Sequence, residues 1–137
     1  MTTTGFVRLL GPLVLAVPVM WLGGPVTAQP AKPGYLPFVE FSPRDPQAHI
    51  DLKKAYNDTV EKYNQVLYDY YATLEQHDRL VDVYGASTDP AERQRAKDEA
   101  APLRAKLTTL RGEAATAFTA VDRAARRAAA AGVSLKP

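Results

Sequence analysis

Two histidines, three serines and no cysteine limit the nucleophilic and metal chemistry open to this chain. The serines stand at 42, 87 and 134, and neither His49 nor His77 lies at a spacing that ties it to one of them as a base. His77 falls among tyrosines at helical spacing, which reads as a core imidazole bonded to a tyrosine hydroxyl. A charge change between pH 5 and 8 is the sharper alternative. Glu75, Asp78 and Asp82, with Asp89 and Glu92 across a turn, could offer oxygen ligands to a hard cation. Arg79, Arg93 and Arg95 are interleaved with them and no calcium-loop spacing occurs, so a solvated charged face is the expectation. Arg123, Arg126 and Arg127 form a basic cluster that could meet anionic lipid or phosphate, or simply complement a helix C-terminus. No catalytic residue, no metal ligand set and no cofactor site is expected.

The residues better suited to binding are aromatic. Tyr35, Phe38 and Phe41 stand in a stretch that holds Pro30, Pro33, Pro37, Pro43 and Pro46. Such proline density forbids regular helix and favours extended or polyproline II backbone. This strap either packs on the rest of the chain or docks on a partner's groove or sheet edge. Tyr68 and Tyr71 supply a second aromatic group. These five residues are the candidate partner-binding set.

The elements that position them follow from where proline and glycine are absent. No proline or glycine occurs between Pro46 and Gly85. Asp45-Pro46 reads as a capping carboxylate before proline at the first helical position, and Gly85 as a left-handed C-terminal cap. Within this span Tyr56, Val60, Tyr63, Leu67, Tyr70, Leu74, His77, Val81 and Tyr84 alternate spacings of four and three. That is a heptad seam, widened by Val66, Tyr71 and Leu80. A turn over 85–88 leads to Asp89-Pro90-Ala91-Glu92, a capping-box start. The second seam runs Leu103, Leu107, Leu110, Ala114, Ala117, Val121, Ala124, Ala128 and Ala131, with Phe118 at its flank and Gly132 as its stop. Pro102 predicts a kink or break opposite Tyr70, Tyr71 and Leu74.

The fold class is therefore all-α: a long, coiled-coil-like antiparallel two-helix hairpin with arms over about 46–84 and 90–131. A short turn leaves long arms no other arrangement. Bulky tyrosines on one arm face alanines on the other, and a fold at the turn puts Tyr70 near Leu103, Tyr63 near Leu110 and Tyr56 near Phe118. Residues 46–84 carry seven acids and four bases, and residues 90–131 five acids and nine bases. Opposite net charge favours pairing between the arms. Each arm is about 60 Å long, and two helices alone leave much of their seam half exposed. Either the strap covers it or two hairpins associate as a four-helix bundle.

The first residues read as an export signal. Arg8 is the only charged side chain before Lys32, and an apolar run follows at 9–22. Val26 and Ala28 fit the small-residue pattern before a cleavage point, which places the cut after Ala28. The run is shorter than the roughly 20 residues of a spanning helix, so an uncleaved anchor is the weaker alternative. The expected organisation is a cleaved signal peptide (1–28), a Pro/aromatic-rich extended segment (29–45), the hairpin (46–132) and a short tail (133–137). A formal net charge of +2 gives no field that would select nucleic acid. The expected function is a non-enzymatic, periplasmic or secreted protein that binds a protein partner, as an accessory or structural subunit of an envelope complex. Alternatives are a periplasmic holdase-like chaperone with an open hydrophobic stripe, and a membrane-anchored or membrane-surface interaction protein. A homodimer through helix packing is a further partner class.

Overall fold

The computed structural model describes residues 34–137. The expected signal peptide and residues 29–33 lie outside the described residues. Two helices, α1 (Gln47–Ala86) and α2 (Pro90–Ala130), pack against each other, and no strand occurs among the described residues. The connection is residues 87–89, too short for anything but antiparallel neighbours. None of the described helices is long and apolar enough to cross a membrane.

The helix ends differ in detail from the expectation. Pro46, not Asp45, is the N-cap of α1, and its carbonyl accepts from the amides of His49 and Ile50. The Asp45 carboxylate caps nothing. It accepts from the Ser42 amide (3.0 Å) and from Lys53 Nζ (2.9 Å), closing the turn over 42–45. The Lys53 ammonium, then the Ser42 amide, hold this carboxyl below its ordinary pKa. Gly85 is not the stop, because it keeps helical backbone without positive φ and α1 continues through Ala86 to an extended Ser87. At the start of α2, Asp89 caps as expected through Ala91 N (2.9 Å). The reciprocal half of the capping box is replaced, since Glu92 takes the Ser87 hydroxyl while the Asp89 amide donates to that same oxygen. Gly132, with φ of 72°, does supply the left-handed end of α2. The amides of Gly132 and Val133 return to the carbonyls of Ala129 and Ala128, a Schellman closure.

The seam is present and slips in phase. Tyr56, Val60, Tyr63, Leu67, Tyr70, Thr73 and His77 are buried from α1, so Thr73 stands where Leu74 was expected. Beyond it Leu80, not the exposed Val81, turns inward. An α-helix drifts about 20° per heptad against a strict 3.5-residue repeat, and the stripe moves with it. Thr73 tolerates burial because its hydroxyl donates to the Asp69 carbonyl (2.7 Å). On α2 the buried set is Ala96, Ala100, Leu107, Leu110, Ala114, Val121 and Ala128, while Leu103 is half-buried and Ala131 exposed.

The register also moves. Tyr70 packs with Leu107 and Leu110 rather than with Leu103. Tyr63 meets Phe118 at 5.7 Å between ring centroids, where Leu110 was expected. Near the turn, Arg93 lies 4.6 Å over the Tyr84 ring. The connection lies at 87–89 instead of 85–88, which moves the pivot toward α2 in the same direction as this register shift. Opposite net charge does not act through contact, for among the described residues no ion pair joins the two helices. Those of Arg79 with Glu75 and Arg126 with Asp122 lie within one helix. Pro102 does not break α2. It is exposed, as is Asp98, whose carbonyl loses its usual donor, so water can satisfy that group.

Burial pushes the Tyr56 and Tyr63 phenols above their ordinary pKa, with the Tyr71 ring adding to the effect at Tyr63. The chain after α2 is not a loose tail. Val133 is buried and Leu135 packs on the cluster formed by Val39, Tyr56, Val60, Tyr63, Leu67, Ala114 and Val121.

Candidate functional site: an aromatic edge on a clamped strap

Val39 belongs to that same cluster, and this places the strap (residues 35–41) over the seam between the helices. Two asparagines hold it there. Asn64 Oδ1 accepts from Leu36 N (2.9 Å) while its Nδ2 donates to Leu36 O (2.8 Å). Asn57 repeats the pattern at Val39, with both bonds at 2.8 Å. The spacings match. Seven helical residues rise about 10.5 Å, and three polyproline II residues about 9.3 Å. One side-chain amide can therefore satisfy both polar groups of every third strap residue. The strap runs antiparallel to α1, since Leu36 lies at Asn64 and Val39 at Asn57.

This three-residue period sorts the strap into rows. Leu36 and Val39 point inward, Val39 at 3 % exposure. Tyr35, Phe38 and Phe41 form a second row beside α1. Tyr35 stacks on Tyr71 at 6.2 Å and 27°, and Tyr71 meets Tyr70 edge-on at 5.6 Å. The Tyr35 hydroxyl is buried without a hydrogen-bond partner. Burial raises its pKa, and Tyr71, Tyr68 and Asp69 raise it further. Phe41 lies under Lys54 Nζ at 5.7 Å and still exposes 42 % of its surface. Phe38 is 53 % exposed and Tyr68 56 %.

The structure thus divides the five candidates. Tyr35 and Tyr71 belong to the packing of the strap, and Phe38, Phe41 and Tyr68 face outward. Asn57 and Asn64 were not singled out from sequence. Their signal was a pair of poor helix formers seven residues apart, next to the seam of a long helix. Arg123, Arg126 and Arg127 are exposed on the last turns of α2, and Arg126 is already engaged by Asp122 at 2.9 Å.

The groups weighed for chemistry are dispersed or enclosed. Among the described residues no three His, Asp or Glu side chains gather as metal ligands would. His77 is 2 % exposed, and it bonds no tyrosine hydroxyl as had been expected. Its Nδ1 lies 3.4 Å from Asp78 Oδ1, and Nε2 is buried without a partner. In comparisons with known proteins, no family model, no curated protein and no solved structure matches this chain.

Proposed function

We propose that the chain is a non-enzymatic, exported helical-hairpin protein that binds a protein partner through the aromatic edge formed by Phe38, Phe41 and Tyr68. It would serve as an accessory or structural subunit of an envelope complex. One observation carries this reading. Large aromatic rings stand exposed on a strap whose backbone is clamped at two points. Rings presented on a pre-ordered backbone lose little conformational entropy on binding, and buried aromatic anchors dominate interface energies. The hairpin itself gains nothing from their exposure.

A photo-crosslinking residue at position 38, introduced in the native cells, should capture one stoichiometric partner. Alanine at 41 and 68, with the photo-crosslinking residue kept at 38, should abolish capture and leave the melting temperature nearly unchanged. Undiminished capture by that variant would remove the aromatic edge from the account.

A second reading, a holdase-like chaperone, is supported by a different region. Near the turn, Val81 and Val83 are 46 % and 39 % exposed. A holdase should suppress aggregation of unrelated clients, and Val81→Ser with Val83→Ser should weaken that suppression. A dedicated subunit should show no such activity.

A further inference from the structure

The flank of the hairpin opposite the strap carries an open groove of about 620 Å³. Its walls are Thr59 and Lys62 from α1 and Thr109, Gly112, Glu113 and Thr116 from α2. On the helical wheel Thr59 and Lys62 fall across the α1 seam from Asn57 and Asn64, so this is the side that the strap leaves bare.

Three features of the groove point outward. First, all three threonines turn their hydroxyls back to their own helix: Thr59 to Tyr56 O, Thr109 to Ala105 O and Thr116 to Gly112 O. Their methyl groups are what remains for a visitor. Second, Gly112 has ordinary helical backbone, and a Cβ built on it would meet nothing within 4 Å. Glycine inside a helix costs about 1 kcal/mol relative to alanine, and no contact among the described residues requires it. Third, Lys62 and Glu113 stand on opposite walls, and neither is in an ion pair among the described residues.

A cation on one wall and an anion on the other are self-complementary under a two-fold axis, because Lys62 of each copy meets Glu113 of its mate. A flank about 60 Å long and about 10 Å wide offers on the order of 600 Å² per copy, near the roughly 800 Å² per partner of a standard interface. We infer that a second copy of this chain docks in this groove, flank to flank, to form a four-helix bundle with the two straps on its outer faces. The groove lies away from Phe38, Phe41 and Tyr68, so dimer formation stands or falls independently of the aromatic edge.

Sedimentation of the full chain, expressed with its own N-terminal segment, tests this over a concentration series. The wild type should sediment as a dimer. Gly112→Leu, whose side chain enters open space in the single chain, should sediment as a monomer with undiminished helical circular dichroism. Lys62→Glu and Glu113→Lys should each weaken association about tenfold, the equivalent of ~1.4 kcal/mol. The double exchange should restore it to within about threefold. A wild type that stays monomeric at every concentration overturns the inference. So does a Gly112→Leu chain that still dimerises, or a double exchange that associates no better than its parents.

Discussion

The half of the hairpin under the strap and the half nearest the turn share the same two helices and differ in what closes them. Under the strap, Tyr56, Val60, Tyr63 and Leu67 are roofed by Val39, share their cluster with Ala114 and Val121 of α2, and have Leu135 packed on them. Strap, both helices and the segment after α2 all contribute, and the largest fully buried side chains, Tyr63, Leu67 and Val60, are all there. Toward the turn, the buried positions are Thr73, His77, Ala96 and Ala100, while Val81 and Val83 face solvent. The difference is geometric. Two cylinders in contact shield only a narrow strip, so large rings are fully enclosed only where a third segment fills the groove above them. Where none does, the fully buried positions are small or polar, and Leu74, Leu80 and Leu103 are only half-buried.

Changes that break this contrast should have the largest effects. Tyr63→Ala empties the centre of the covered half, where the ring is 1 % exposed and packs on Phe118. It should cost about 3–5 kcal/mol in urea unfolding, whereas Tyr84→Ala, at the open end, should cost well under half of that. Asn57→Ala with Asn64→Ala removes four strap hydrogen bonds, for a loss of about 2–4 kcal/mol. Hydrogen exchange should then show the Leu36 and Val39 amides unprotected, with amides around Ala100 keeping most of their protection. A uniform loss along both helices would mean that the two halves unfold as one.

Two further substitutions sharpen the contrast from the weak side. His77→Leu removes a buried nitrogen that has no partner and should stabilise the turn half by about 1–2 kcal/mol. A decrease in melting temperature would show that the imidazole makes a stabilising bond. Gly85→Ala should add about 0.5–1 kcal/mol, because Gly85 is helical and a Cβ there meets nothing within 4 Å. Destabilisation by the same substitution would restore the left-handed cap that the sequence suggested.

Much of the aromatic edge was legible before any fold was known. Tyr35, Phe38, Phe41, Tyr68 and Tyr71 are conspicuous by type and by their proline surroundings. Which of them face outward was not legible, because exposure depends on the side of the strap that meets α1. The asparagine clamps span 18 and 28 residues of sequence. No local pattern encodes a bond at that separation. Ala96 and Ala100 were missed for a different reason, since alanine is equally at home on either face of a helix and carries almost no positional signal. Val133 and Leu135 were read as tail because the turn at Gly132 fixes where the chain goes next only in three dimensions.

The sequence alone determined two long helices, their antiparallel pairing and an extended strap before them. Those features follow from nearest neighbours along the chain: proline and glycine placement, a capping aspartate at 89, apolar groups every three or four residues, and a connection too short to allow another path. Tertiary structure decided the register, the identity of the seam beyond Tyr70, the docking of strap and tail, and which flank stays open. Each of these depends on the sum of small contacts between distant segments. A shift of one helical turn changes every partner while leaving each local pattern intact.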